Sequence, residues 1–277
     1  MIKPYITTLV LLFCFATAAQ NPEKVRGNKI VTIIQTEINP FHTIIVDEDF
    51  DIEIIYNKVP SVTIETDENL HEFIKFDVVN GVLSFNKTTR IVTKKRLNIT
   101  VNHDDSLNTI KVTDSGEILS LTTMNLANAI LITEGASRAG LTIKTTDFEF
   151  QCQGKSKVRL NLTCENAKLS LSDNSKLEAL IYSPITNIDL YQRAHATIEG
   201  ETNEFRLRTD NYSQFNGKNF TAHICSTLNE ISSDAYLEVT DTVTIDASGS
   251  SSVYLYGNPK IIVNKLSDTS KLQKKEK

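Results

Sequence analysis

Apolar residues in this chain fall in short alternating runs broken by polar turns, and the turns recur at a nearly fixed interval. The turn triplets are Asp114-Ser115-Gly116, Ala136-Ser137-Arg138, Lys155-Ser156-Lys157, Asn174-Ser175-Lys176, Arg193-Ala194-His195, Tyr212-Ser213-Gln214, Asp234-Ala235-Tyr236 and Ser250-Ser251-Ser252. With the central small residue as anchor, the steps from Ser115 to Ser251 are 22, 19, 19, 19, 19, 22 and 16. A second series consists of apolar pairs with one residue between them: Ile110/Val112, Ile130/Ile132, Phe148/Phe150, Leu169/Leu171, Ile188/Leu190, Phe205/Leu207 and Val243/Ile245. Their first members step by 20, 18, 21, 19, 17 and 38, the last being two intervals of 19. A third series lies two residues after the anchors, at Val158, Leu177, Ala196, Phe215, Leu237 and Val253. Each repeat therefore carries two short strands with period-two inward positions, separated by polar turns.

One such unit cannot bury its own apolar face, whereas units stacked about 4.8 Å apart form a continuous core with parallel backbone ladders. The pattern predicts an all-β right-handed parallel β-helix, because parallel crossovers are overwhelmingly right-handed. A sandwich or barrel would not lock its strand spacing to 19. Residues 28–105 are β-rich but lack the Ser-centred turns, and Asn80-Gly81 between apolar runs signals a hairpin. This region is expected to cap the solenoid repeats of 106–263, with a frayed polar tail at 264–277.

The N-terminus adds a compartment. Lys3, an apolar run from Ile6 to Ala16 and the small residues Ala16-Thr17-Ala18-Ala19 read as a signal peptide over 1–19. Removing it takes one Lys and no acid, so the formal charge moves from -5 to about -6, which is no nucleic-acid footprint. No later run is long and apolar enough for a transmembrane helix. The absence of Trp and the presence of only two Met accord with a strand-rich chain. Cys152, Cys164 and Cys225 remain after cleavage, too few and too isolated for a disulfide framework or a zinc site, so structural burial is expected.

The segments Phe50-Asp51-Ile52-Glu53-Ile54, Thr66-Asp67-Glu68-Asn69-Leu70 and Val79-Asn80-Gly81-Val82-Leu83, the turns Ser115-Gly116 and Ser248-Gly249-Ser250, and the ending Tyr256-Gly257-Asn258-Pro259 occur in a telling order. They resemble the Bacteroidetes family called putative auto-transporter adhesin, head GIN domain, over most of the mature chain. The middle repeats depart from the family's Ser-Gly-Ser-Gly turns, with Ser137, Ser156, Ser175, Ala194 and Ser213 where glycine is usual. The resemblance implies a β-helical fold and an exported protein.

Catalytic chemistry is not legible. Asp114, Glu134, Asp173, Asp210 and Asp234 lie near turns at different offsets, with Gln153 and Gln192 intervening, and read as solvated turn residues. His42, His71, His103, His195 and His223 have no metal-ligand spacing, and His103-Asp104-Asp105 reads as a polar loop. No hydrolase, phosphate-loop or zinc-protease motif occurs. The four tyrosines Tyr191, Tyr212, Tyr236 and Tyr254 recur at uneven offsets. What stands out is the position after the anchors, where Arg138, Lys157, Lys176 and His195 follow one another at steps of 19. Strand alternation points this position outward, so the four form one column, continued by Gln214 and Tyr236. The column is the candidate ligand-binding site, suited to an acidic or sulfated glycan lying along the axis, with Asp173 and Glu178 as neighbouring acids that could neutralise it. The reading is an exported, non-catalytic cell-envelope or surface protein, adhesive or structural, needing no cofactor and no metal. Its partner would be a glycan or an envelope or host protein, not nucleic acid. The alternative is a polysaccharide lyase or hydrolase on the same fold.

Overall fold

The computed structural model describes residues 24–276. The expected signal peptide at 1–19 lies outside the described residues. The chain winds into a parallel β-solenoid of about nine turns with a spacing near 19 residues. Each coil contributes one strand to each of two sheets. Sheet A stacks Thr43–Val46, Thr109–Val112, Asn128–Thr133, Asp147–Cys152, Asn166–Leu171 and Ile185–Leu190, then 204–209, 224–229 and 242–247, and ends on Lys260–Leu266. Sheet B stacks Asp51–Tyr56, Glu117–Ser120, Arg138–Lys144, Lys157–Thr163 and Lys176–Tyr182, then 195–201, 214–217, 234–238, Ser252–Tyr256 and Lys271–Lys274.

Alternation along each strand creates the core. Lys157–Thr163 and Lys176–Tyr182 both alternate exposed and buried residues over their whole length, so every second side chain enters the space between the sheets. Stacking then turns each inward position into a row. Val158, Leu177, Ala196 and Phe215 share one buried row, as their spacing predicts. The next member is Ala235 and not Leu237, which pairs with Gly217 one inward position further along. The apolar pairs of sheet A show the same slip. Ile110, Leu131, Phe150, Leu169, Ile188 and Leu207 form one row, so in the coil at 128–133 it is Ala129, Leu131 and Thr133 that face inward. Ile130, expected inside, is 37% exposed.

The turn between the sheets explains its own repeat. Its buried small residue is Ser137, Ser156, Ser175, Ala194, Ser213, Ser233 and Ser251 in successive coils. A buried hydroxyl needs a partner, and the serines find one locally: Ser156 Oγ donates to the Gln153 carbonyl at 2.7 Å and Ser175 Oγ to that of Ser172 at 2.7 Å. Gly116, not Ser115, occupies this place in the earlier coil, because Glu117 pairs with Arg138. Two residues before the small residue the backbone is left-handed, at Gly135, Gly154, Asp173 and Gln192. Glycine and aspartate tolerate that geometry, which Gln192 adopts without either advantage.

Residues 28–105 divide between solenoid and end structure. Thr43–Val46 and Asp51–Tyr56 already form the first coil. Val82–Lys87 and Leu97–His103 add to it in parallel, after which the pairing reverses: Ser61–Asp67 and Val31–Glu37 extend sheet B antiparallel, and Ile74–Val79 extends sheet A through the Asn80-Gly81 hairpin. Asn80 and Gly81 both have positive φ, the two-residue turn that matches strand twist. The segment from 264, expected to fray, instead completes a coil: 260–266 continues sheet A and Lys271–Lys274 continues sheet B. Lysine and serine there occupy outward and turn positions of a repeat whose inward residues are Leu266 and Leu272.

Candidate functional site

The outward face of sheet B holds the cationic column. Arg138, Lys157, Lys176 and His195 occupy directly adjacent positions in four successive strands, with no register shift between them. Glu117 precedes the row and Gln214 follows it. The next member is Asp234, so Tyr236 is corrected to the neighbouring outward row, two residues along the strand. Tyr236 was placed in the column by anchoring its turn on Ala235, whereas the buried turn residue is Ser233.

That neighbouring row supplies what spacing at the turns did not reveal. It runs Leu119, Gly140, Arg159, Glu178, Thr197, Asn216, Tyr236 and Tyr254. Gly140 leaves a gap beside Leu119 that a Cβ would fill, since it would stand 2.6 Å from Leu119 Cδ2. The gap opens into a shallow depression of about 510 Å³ bordered by Arg138, Lys157, Lys176 and Arg159. A second, of about 520 Å³, lies across Arg159 and Glu178 and reaches Asn161 and Glu199. Further along, Tyr236 and Tyr254 stack with centroids 4.4 Å apart and planes 15° from parallel, and Lys275 Nζ lies 5.1 Å from the Tyr254 ring. The residues missed in the sequence were therefore Gly140 and Arg159, and the signal for them was the position two residues beyond each member of the column; Tyr254, one of the four tyrosines singled out in the sequence, joins Tyr236 in the same row.

Local charge decides what the column can do. Arg138 pairs with half-buried Glu117 at 3.6 Å, and Arg159 pairs with Glu178 at 3.2 Å at the exposed surface. The two acids expected to neutralise the column are otherwise engaged. Glu178 pairs with Arg159, and Asp173 Oδ2 accepts the Gly154 amide at 2.9 Å. Among the described residues Lys157 and Lys176 make no ion pair, although their strands are directly adjacent. Strands sit about 4.8 Å apart, and like charges opposed across them destabilise by roughly 0.2 to 1 kcal/mol. A polyanion laid along the row removes that repulsion and replaces it with attraction.

The turn acids do not converge. Asp114 and Asp173 hold left-handed turn positions, Glu134 faces Lys111 at 3.5 Å, and Asp210 lies 4.0 Å from Arg208. Among the described residues no group of three or more His, Cys, Asp or Glu is placed to hold a metal ion. Cys152, Cys164 and Cys225 are buried and unbonded, and burial pushes the Cys225 thiol up to about 12. His103, read as part of a polar loop, is instead fully buried. No described helix is long and apolar enough to cross a membrane.

The family described as putative auto-transporter adhesin, head GIN domain, matches residues 40–259. Among solved structures, a putative lipid binding protein from Parabacteroides distasonis superposes with a TM-score of 0.61 at 13% identity, covering 91% of this chain and all of that one. Putative adhesins from Parabacteroides merdae and Parabacteroides distasonis each give a TM-score of 0.56, at 17% and 15% identity, over 91% of this chain and 99% and 100% of theirs. At these identities the likeness is one of fold. No curated protein matches the chain.

Proposed function

The chain belongs to the head GIN domain family of putative auto-transporter adhesins, and from that premise we propose that it is an exported, non-catalytic envelope protein that binds an acidic or sulfated glycan along the outer face of sheet B. The observation that carries this reading is the in-register row Arg138, Lys157, Lys176 and His195, whose two central lysines have no acidic partner among the described residues and border an open depression. A linear glycan is the fitting shape, because the cations repeat once per coil in register, about 4.8 Å apart, close to the length of one sugar ring. Arg159 adds a cation beside the row, and the Tyr236–Tyr254 stack offers an apolar surface further along. The scattered turn acids favour binding over a glycan-cleaving reaction, since hydrolysis uses two carboxyl groups flanking one bond.

The test is binding to alginate, dextran sulfate and neutral dextran at low and high ionic strength, with reducing-end release measured in parallel. Binding to the two anionic polymers alone, weakened by salt, is expected. The triple reversal Arg138→Glu, Lys157→Glu and Lys176→Glu should weaken it at least about tenfold, or about 1.4 kcal/mol, with an unchanged circular dichroism spectrum. Absence of binding by the parent chain, or equal binding by the reversal, overturns the reading. Cleavage of any of the polymers would replace it with the enzymatic alternative.

A further inference from the structure

The two sheets end twice, and the two ends are complementary. At the N-terminal end the outermost strands are Ile74–Val79 on sheet A and Val31–Glu37 on sheet B. Among the described residues these pair only with Val82–Lys87 and Ser61–Asp67 respectively. At the other end the outermost strands are Lys260–Leu266 on sheet A and Lys271–Lys274 on sheet B, each paired on one edge only among the described residues. Each end thus presents two strand edges without a neighbouring strand, belonging to the same two sheets.

The core also runs out at these strands. Ile261, Val263 and Leu266 continue the rows of Val243, Ile245 and Ala247, which are wholly buried, yet they are 44%, 45% and 47% exposed. At the N-terminal end Ile34 continues the row of buried Ile64 and is 49% exposed. A groove of about 450 Å³ runs there between the two outer strands, with Ile38, Phe76 and Val78 as its apolar lining and Glu37 and Asp77 as its charges. The outermost strands themselves differ in charge: Lys260, Lys265, Lys271 and Lys274 are exposed on the C-terminal pair, which carries no acid, and Glu37 and Asp77 on the N-terminal pair, against Lys75. The flanking residues are mixed at both ends, with Glu68 and Glu72 beside Arg26, Lys29 and Arg90 at one and Asp268 at the other.

We propose that copies of this chain dock head to tail, the strands Lys260–Leu266 and Lys271–Lys274 of one copy adding to Ile74–Val79 and Val31–Glu37 of the next. Both sheets then run on through the joint, the open edges gain backbone partners, and the exposed ends of the apolar rows are buried. Charge selects this arrangement. Tail-to-tail pairing sets the lysines against one another, whereas head-to-tail pairing sets them against carboxylates. The contact joins two different surfaces and does not close on itself, so it propagates into a linear array. This inference rests on the ends of the solenoid alone and is independent of the glycan reading.

Sedimentation velocity on the purified chain at micromolar to millimolar concentrations, in low and high salt, tests it. Concentration-dependent species larger than a dimer are expected at low salt and should shrink as salt rises. A tail-blocked variant, Ile261→Lys with Val263→Lys, and a head-blocked variant, Ile34→Lys with Thr36→Lys, should each be monomeric alone. Mixed in equal amounts they should form a one-to-one dimer and nothing larger. If a blocked variant loses its strand signal in circular dichroism, the reversal Lys260→Glu with Lys271→Glu replaces it and should weaken association at least tenfold. A parent chain that stays monomeric at low salt overturns the proposal, as does a dimer formed by the head-blocked variant alone. A monomer that instead sediments with phosphatidylglycerol vesicles, and loses this with Ile261→Lys and Val263→Lys, assigns the end to a lipid surface and overturns it equally.

Discussion

The ring of His103 lies fully buried near the first coil, edge-on to Tyr56 with ring centroids 5.7 Å apart. Nδ1 is 3.0 Å from the Asp104 carbonyl oxygen, and Nε2 is buried without a hydrogen-bond partner. Burial holds its pKa below the usual 6.5, and the opposing pull of Asp104 and Asp105 only partly offsets this. The unfolded chain therefore binds a proton more readily than the folded one between the depressed folded value and 6.5. Stability contributed by the neutral ring is complete above pH 6.5 and declines as pH falls through that window. Denaturant melts of the parent and of His103→Leu at pH 7.5 and pH 5.5 should show a larger acid loss in the parent. Equal acid losses would contradict the assignment. The sequence offered no sign of this burial, because a histidine followed by two aspartates has the composition of a loop, and only the register against Tyr56 reveals it.

Rows across coils, more than single strands, are the energetic units of this fold. The row Leu177, Ala196, Phe215, Ala235 and Val253 places its one large ring between two alanines, and the Phe205 ring lies 5.2 Å from it across the core. Phe215 is fully buried, so Phe215→Ala should cost about 3 to 5 kcal/mol, read from the shift in the denaturation midpoint. A loss below about 1 kcal/mol would show that the neighbouring alanines do not define the cavity. The same row shows how far the sequence could be read. From Ser137 to Ser213 every coil is 19 residues long, so spacing alone gave the row through Phe215 and the column through His195. Beyond that the turn moves to Ser233 and then Ser251, and bulges interrupt the pairing near Gly217–Thr221 and Ala222–Ile224. Inward positions two apart look alike in an alternating strand, so Leu237 and Ala235 could not be told apart by pattern. Tyr236 was misplaced for the same reason. Gly140 and Arg159 lie at a readable spacing, two residues beyond Arg138 and Lys157, but a glycine beside an arginine carries no sign of a site until the depression between the coils is seen.

At the scale of the molecule, stacking of in-register coils turns an outward sequence position into a row along the solenoid. Replacing outward residues leaves the buried rows intact, so one face can carry a cation column while other outward rows carry mixed charges, as in the Lys168–Glu149 pair of sheet A. The acids near the turns illustrate the converse: residues of one type do not make a site when their coil offsets differ, and left-handed turn geometry accounts for Asp114 and Asp173. Fold and the proposed function thus separate, with the interior specifying the solenoid and the outward face of sheet B carrying the proposed glycan site. A crystal structure of the chain with an acidic hexasaccharide, grown at low ionic strength, tests that claim most directly. The account predicts a sugar chain parallel to the solenoid axis, with acidic groups against Arg138, Lys157 and Lys176 in successive coils. Oligosaccharide bound instead to the outer face of sheet A, or crossing the strands away from this row, would contradict it.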